Sequence, residues 1–413
     1  MTKKVEIKNS VAEIIEKVKT KKDNGLVELI EKYDGIKLKP ENLRLSKEDI
    51  TKAYEEVDDE TINKIKFAAS QISFFSKNQL ECLKPLHCQN IEGVELGHKI
   101  IPIESCGCYV PAGRYPLPSS ALMSIIPART AGVKRIAACA PPSKTHGTIH
   151  PIVVVAMDIA GADEIFMMGG AQAIATYAYG TSSIPPVDMI VGPGNTFVTE
   201  AKRQVSGDVG IDMLAGPSEV LIIADELADP NLVAIDLLAK CEHDPDSVAI
   251  LVTTSQELID NVKNEFAKEL ESLETKEVIK ESWEKYGVVK LVDDLDEAAE
   301  YSNKIAPEHL QVITENDDEL IEKLTNYGSL FIGPNSPVAF GDYVSGTNHI
   351  LPTGTGARFT NGLWVGKFLK VLSYQKITER GAKKLANACM HLAEMEGLYA
   401  HKKSAEYRIN NKT

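Results

Sequence analysis

The sequence predicts an α/β protein whose parallel sheets are covered by helices. From about residue 100, short apolar runs alternate with Gly/Pro turns: GCYVPAG, RIAACAPP, EIFMMGG, DMIVGPGN, EVLIIAD and VAILVTT. Helical stretches lie between several of them, and strand–helix alternation is the pattern of parallel sheets with helices on both faces. Residues 9–80 differ, because their apolar residues recur at helical spacing.

In chain order, SVAEIIEKVKTKKD and NGLVELIEKYDG read as helices. Ser46 opens SKEDITKAYEEV with Asp49 three residues on, a capping box with Asp in the Glu/Gln place. A long helix follows through Phe74 and Phe75, and SKNQLECLKPLHCQN then reads as a loop around Pro85. SLFIGP at 329–334 is a further strand. After Asn361 the chain turns helical, with Leu385, Cys389, Leu392 and Met395 on one face.

Composition narrows the function. A chain of 413 residues predicts two or three domains. Its formal charge of −14 lacks the footprint of a nucleic-acid binder and should be repelled by anionic membranes, so a small-molecule partner is expected. The start, MTKKVEIKNSVAEIIEKVK, has no apolar core of signal-peptide length, and the best membrane candidate, PIVVVAMDIAG, is broken by Asp158. Seven cysteines without a regular framework fit a reducing cytoplasm. Cys106 and Cys108 form a C-x-C with no second pair, so structural roles are expected over zinc binding.

Three signals carry chemistry. Loops after parallel strands bind ligands in such folds, and three exits are Gly-rich: CYVPAG at 108–113, MGGAQA at 168–173 and GPGN at 192–195. Glycine permits close backbone approach and exposes N–H groups. None completes G-x-G-x-x-G, because GPGNTF ends in Phe197, so ordinary tight turns remain an alternative. Tyr109, Gln172 and Asn195 are the polar side chains there that could orient a cofactor. The second signal is Glu308-His309 in KIAPEHLQV, expected to open an element at a sheet edge after Pro307. His beside a carboxylate suits proton abstraction near pH 7. Adjacent residues usually point apart, however, and a surface Glu-His at a helix start is the plainer alternative. The third signal is scattered: Cys241-Glu242-His243-Asp244, Gly341-Asp342-Tyr343, Asn348-His349 and His401. His with carboxylate suits Zn²⁺, but this separation offers no spacing test.

Longer phrases are more specific. GPGNTFVTEAKRQVSGDVGIDMLAGPSEVLIIAD, LLAKCEHDPDS, APEHL, GDYVSGTNHILPT and EGLYAH occur in this order. With VELIEKYDG, they resemble the histidinol dehydrogenase family over about residues 10 to 408. The resemblance implies a zinc-containing, NAD-dependent, intertwined homodimer with two Rossmann-like domains, a helical amino-terminal segment and a small carboxy-terminal tail. It implies two oxidations of L-histidinol, through the aldehyde, to L-histidine in histidine biosynthesis, with two NAD molecules used in turn. Glu308 and His309 match the acid/base pair, His309 taking the alcohol proton and Glu308 activating water. Tyr109, Gln172 and Asn195 match NAD contacts. Ser218, His349 and Glu396 match substrate contacts, Glu396 donated across the dimer. His243, Asp342 and His401 match zinc ligands and, with Lys240 and His309, complete the substrate surroundings. The expected domains are 106–217 for NAD, 1–105 plus 218–360 for substrate and zinc, and 361–413 as a helical tail on the partner subunit.

Two positions depart from the family pattern. The fourth zinc ligand is a Gln three residues before the His; here that residue is Lys240. An amide oxygen binds Zn²⁺ neutrally, whereas lysine must first lose its proton, which from a pKa of about 10.4 costs roughly 4.6 kcal/mol at pH 7. Lys240 is therefore expected to have a strongly depressed pKa or to swing away and leave the place to water. GRYPLPSS at 113–120 puts Arg114 near the NAD loop, where the family more often has a small Gly-Ser/Thr-Ala stretch. ELGHKIIP and NGLWVGKFLK are similar to a paralogous branch that oxidises other small alcohols, dihydroxypropanesulfonate among them. Lys240 and Arg114 would suit an anionic substrate, although Arg114 has a solvated loop charge or a pyrophosphate contact as alternative roles. A non-catalytic binding protein that has lost zinc is a third reading, opposed by the intact Glu308-His309 pair.

Overall fold

A computed structural model describes residues 2–112 and 115–410. Arg114, singled out above, lies outside the described residues. Helix α1 (Thr2–Asp34) is broken at Lys22, where φ is 51° and ψ −133°. That break falls one residue before the end of the first of the two helical stretches read from the sequence. Helix α2 (Lys47–Glu55) opens on the Ser46–Asp49 capping box, with both reciprocal hydrogen bonds formed. Helix α3 (Asp59–Glu81) runs on beyond Phe75, so the expected loop from Ser76 is first helix. Past Pro85 it becomes β1 (Leu86–Ile91), which turns at Gly93 into antiparallel β2 (Val94–Pro102). Strand β1 is exposed along almost its whole length, so it carries no alternation to betray it.

The first parallel sheet is built from β3 (Ser105–Tyr109), α4 (Pro118–Ala131), β4 (Arg135–Ala140), α5 (Pro151–Ala160), β5 (Glu164–Met167), α6 (Gly170–Tyr179), β6 (Met189–Val191), α7 (Thr196–Val205) and β7 (Gly210–Ile211), in the order β5-β4-β3-β6-β7. Helix α1 packs on α6 and α7, α2 on α5, and α3 on α4 and α5. Leu26 and Ile30 share one core with Tyr109, Phe166 and Ile190, while Ile65 and Ile72 share another with Cys106, Ile136 and Val191. The amino-terminal helices, grouped above with 218–360, cover the first sheet in the structure. Their apolar faces are buried on α4–α7.

The second parallel sheet comprises β8 (Glu219–Ala224), α8 (Pro230–Cys241), β9 (Val248–Thr253), α9 (Gln256–Leu270), α10 (Lys276–Tyr286), β10 (Gly287–Leu291), α11 (Leu295–Ile305), β11 (His309–Ile313), α12 (Asp317–Ile321), β12 (Ser329–Ile332) and α13 (Val338–Tyr343), ordered β10-β9-β8-β11-β12. All five residues of β11 are buried, and it lies between β8 and β12. Glu308-His309 thus opens an inner strand, not one at a sheet edge.

The chain then returns to the hairpin. Strand β13 (Leu369–Ile377) pairs antiparallel with β2, so the helical stretch expected after Asn361 begins only with α14 (Glu379–Met395) and α15 (Tyr399–Asn410). Leu392 and Met395, on the face read from the sequence, are 59% and 73% exposed. No helix among the described residues is long and apolar enough to cross a membrane.

One buried ion pair fixes the GPGN turn. Gly192 has φ +117°, and a Cβ there would stand 2.0 Å from the Tyr109 carbonyl oxygen, so only glycine fits. Asp212 accepts from the Gly192 N–H at 2.8 Å, and Lys202 donates to the Gly192 carbonyl at 2.9 Å while pairing with Asp212. Lys202→Met strands a buried carboxylate. It is expected to lower stability by about 3–5 kcal/mol, read as a shift in urea midpoint.

Candidate active site

The carboxyl ends of β3, β5 and β6 carry one set of residues, and the amino ends of β8 and β11 carry the other. Segment 342–353 bridges them: Asn348 Nδ2 donates to the Met123 carbonyl at 2.7 Å, and the Gly216 N–H donates to Thr353 Oγ1. Tyr109 ends β3, buried, its hydroxyl accepting from the Gly170 N–H at 3.3 Å. Gln172 is buried in the first turn of α6, whose cap, Gly169, offers no side chain. Asn195 caps α7, accepting from the N–H groups of Phe197 and Val198 at 3.0 and 3.2 Å. The three cofactor candidates thus share the carboxyl side of one sheet. At the end of α1, Asp34 has a buried Oδ2 with no hydrogen-bond partner, and burial pushes its pKa up to about 6.

On the second sheet the residues converge around Glu308. Its Oε2 accepts from Ser218 Oγ at 2.7 Å and from the Glu219 N–H at 2.8 Å, and lies 3.2 Å from His309 Nδ1. The adjacent residues therefore do meet: Glu308 precedes the strand, so strict alternation does not yet apply. His309 Nδ1 also lies 3.0 Å from the Glu219 carbonyl. Two acceptors around Nδ1 place the proton there. Nε2 is left buried without a hydrogen bond, 3.4 Å from Asp342 Oδ1. Burial and Lys240 push the His309 pKa down, but Glu308 and Asp342 outweigh them and raise it to about 9. Burial would lift the Glu308 and Asp342 carboxyls, yet His309 and Lys240 hold both below the usual range.

Lys240 is turned into the site. It sits in the last turn of α8, 2% exposed, with Nζ donating to Ser218 Oγ at 3.0 Å and 3.4 Å from His309 Nδ1. His349 Nδ1 donates to the Asp342 carbonyl at 2.9 Å, and its Nε2 is 3.3 Å from Ser120 Oγ. His243 stands just past α8 at the mouth of the site, its pKa held at about 4 by the surrounding protein and the Lys240 charge. Glu396 and His401 lie exposed on the tail, where α14 and α15 pack on one another and α14 on β13.

Sequence reasoning missed Glu219, Ser120 and the bridging role of Asn348. Glu219 carried a faint signal, a lone carboxylate heading an otherwise apolar run.

A family model for histidinol dehydrogenase matches residues 1–409. The chain belongs to the histidinol dehydrogenase family. It is 45% identical over 404 residues to histidinol dehydrogenase of Methanocaldococcus jannaschii, covering 98% of this chain and 93% of that protein. It is 46% identical over 403 residues to a histidinol dehydrogenase homolog of Shouchella clausii, covering 98% and 94%. The crystal structure of histidinol dehydrogenase from Elizabethkingia anophelis superposes with a TM-score of 0.93 at 38% identity, covering 97% and 92%. The chain is thus an NAD-dependent dehydrogenase of the histidinol dehydrogenase family.

The zinc set that the resemblance implies, His243, Asp342 and His401, does not form one group within a single chain. Among the described residues of this one chain no three His, Cys, Asp or Glu side chains come together to hold a metal. The Lys240 charge acts on both His243 and Asp342. A divalent cation between those two would meet the ammonium, so the residues present do not fit zinc.

Glu219 supplies a pH test. Burial and the Glu308 charge push its carboxyl from 4.5 up to about 7. Folding therefore favours the protonated form, and a penalty grows as pH rises from 4.5 through 7. Glu219→Gln, which keeps an acceptor for the Gly354 N–H, should match wild type near pH 4.5. It should exceed wild type by about 1–3 kcal/mol above pH 7, read from urea midpoints across pH.

Proposed function

We propose that the protein oxidises a primary alcohol, L-histidinol, through the aldehyde to the carboxylate of L-histidine. The observation that carries this reading is His309 Nε2, buried and free of hydrogen bonds, with Nδ1 oriented by Glu308 and the Glu219 carbonyl. A base so held can take a hydroxyl proton at one defined atom. The NAD reading rests on the glycine-shaped cradle: a Cβ on Gly169 would meet Pro141 at 2.4 Å, and Gly192 admits none. Tyr109, Gln172 and Asn195 line that side, and NAD bound there would accept hydride from the carbinol carbon. His309 takes the hydroxyl proton in the first oxidation. Glu308 withdraws a proton from water as it adds to the aldehyde carbon, and a second NAD bound in the cradle would accept the hydride that the hydrate gives up.

A homodimer completes this reading. Leu392, Met395, Leu398 and Tyr399 lie exposed on the tail, and apolar side chains exposed together suit an interaction site. A second copy would cover it, bringing Glu396 and His401 to its partner's site. Lys240 favours a second substrate reading, an anionic polyol such as dihydroxypropanesulfonate, because a buried ammonium attracts anions and repels the histidinol cation.

His309→Asn is expected to slow the first oxidation by about 10²–10⁴-fold, measured as NADH formed from histidinol and from dihydroxypropanesulfonate. Wild-type alcohol oxidation should accelerate as pH rises towards about 9, because His309 is held protonated below that value. Glu308→Gln should slow aldehyde oxidation more than alcohol oxidation; equal loss in both half-reactions would remove its assigned role. Light scattering should give twice the chain mass at micromolar concentration, and a monomer would defeat the dimer.

A further inference from the structure

Lysine is almost never fully buried without a partner of opposite charge. Lys240 is 2% exposed, and among the described residues no carboxylate lies within ion-pair distance of its Nζ. Its neighbours are Ser218 Oγ at 3.0 Å and His309 Nδ1 at 3.4 Å. Glu308 reaches it only through the Ser218 hydroxyl, which donates to the carboxylate and accepts from the ammonium. A stem ending in methyl would fill this space without desolvating a charge, so the charge has no packing purpose. Its position in the last turn of α8 places the cation at the negative end of the helix dipole.

Nδ1 of His309 already faces two acceptors, the Glu219 carbonyl and Glu308 Oε2. It therefore cannot also accept from Lys240, and the ammonium keeps donors beyond the one given to Ser218. We propose that Lys240 is the resident cation of this site in place of a metal ion, holding the substrate's reacting oxygen by charge-assisted hydrogen bonds in a zinc-free enzyme. An ammonium and a divalent ion can each orient an alcohol oxygen and balance the charge left when its proton departs. They differ in what they exclude. The ammonium supplies directed donors and one charge, and it makes the space between His243 and Asp342 hostile to a second cation. No atom is transferred in this role: the hydroxyl proton goes to His309 and the hydride to NAD, as above.

The inference rests on reading this as an alcohol-oxidising site, but its first test does not depend on the substrate. Wild type, Lys240→Gln and Lys240→Arg would be loaded with zinc chloride, dialysed against zinc-free buffer and analysed for bound metal by mass spectrometry. The expected result is under about 0.1 zinc per chain in wild type and Lys240→Arg, and close to one in Lys240→Gln, where a neutral oxygen donor replaces the cation. Thermal midpoints confirm that each variant folds. The second arm measures NADH production before and after chelator treatment, with histidinol and with dihydroxypropanesulfonate. Wild-type rates should change less than about twofold, and Lys240→Gln rates should become chelator-sensitive. One zinc per chain in wild type, a tenfold loss on chelation, or a folded Lys240→Gln that takes up no zinc would each overturn the proposal. Failure of both substrates would instead count against the proposed function, leaving the metal result to decide the role of Lys240.

Discussion

Glu308 enters the protein interior with a negative charge, and burial alone would drive it to bind a proton. Four contacts keep it ionised. The Ser218 hydroxyl and the Glu219 N–H satisfy one oxygen, His309 lies beside the same oxygen, and Lys240 acts through Ser218. Because those partners come from the entry to β8, the start of β11 and the end of α8, one carboxylate brings three chain segments to a common point. The same arrangement orients the His309 ring, whose Nε2 faces Asp342 and makes no hydrogen bond. The chemistry of the second sheet thus follows from neutralising one buried charge with groups that are themselves ionisable.

The two halves of the molecule use their strands in opposite senses. In the first sheet the Gly-rich turns leave the carboxyl ends, as expected of parallel α/β folds. In the second, the reactive side chains gather before the strands begin. Ser218 precedes β8 and Glu308 precedes β11. Residues 342–353 join the two regions by hydrogen bonds to both.

What was legible in the sequence follows from burial. Strands β3, β4, β5, β6, β8, β9 and β12 announce themselves because each is a short, largely apolar run between turns. Strands β1 and β13 are exposed along most of their length, so neither period nor composition marks them, and only pairing through β2 makes them strands. The Ser46 cap was readable because it depends on residues three apart. The place of α1–α3 was not, since a helical apolar face says that it is buried and not on what. Within the site, Glu308 and His309 were visible as a pair, but their shared atom was not, because strand alternation predicts divergence. Glu219 acts through its backbone N–H and carbonyl as much as its side chain, and backbone roles leave no residue signature. Lys240 was visible only as a departure, and its direction needed the fold.

The anchored Gly192 turn has a consequence for how a two-stage oxidation could be run. Asp212 and Lys202 hold both polar groups of that glycine from inside, so the turn keeps its shape whether or not anything rests on it. On the proposed reading, a spent dinucleotide can depart and a fresh one arrive with little rearrangement of this loop. The half-oxidised aldehyde is held meanwhile by groups rooted in the other sheet. Turnover traffic and intermediate retention are then assigned to separate scaffolds, and exchange at one need not open the other.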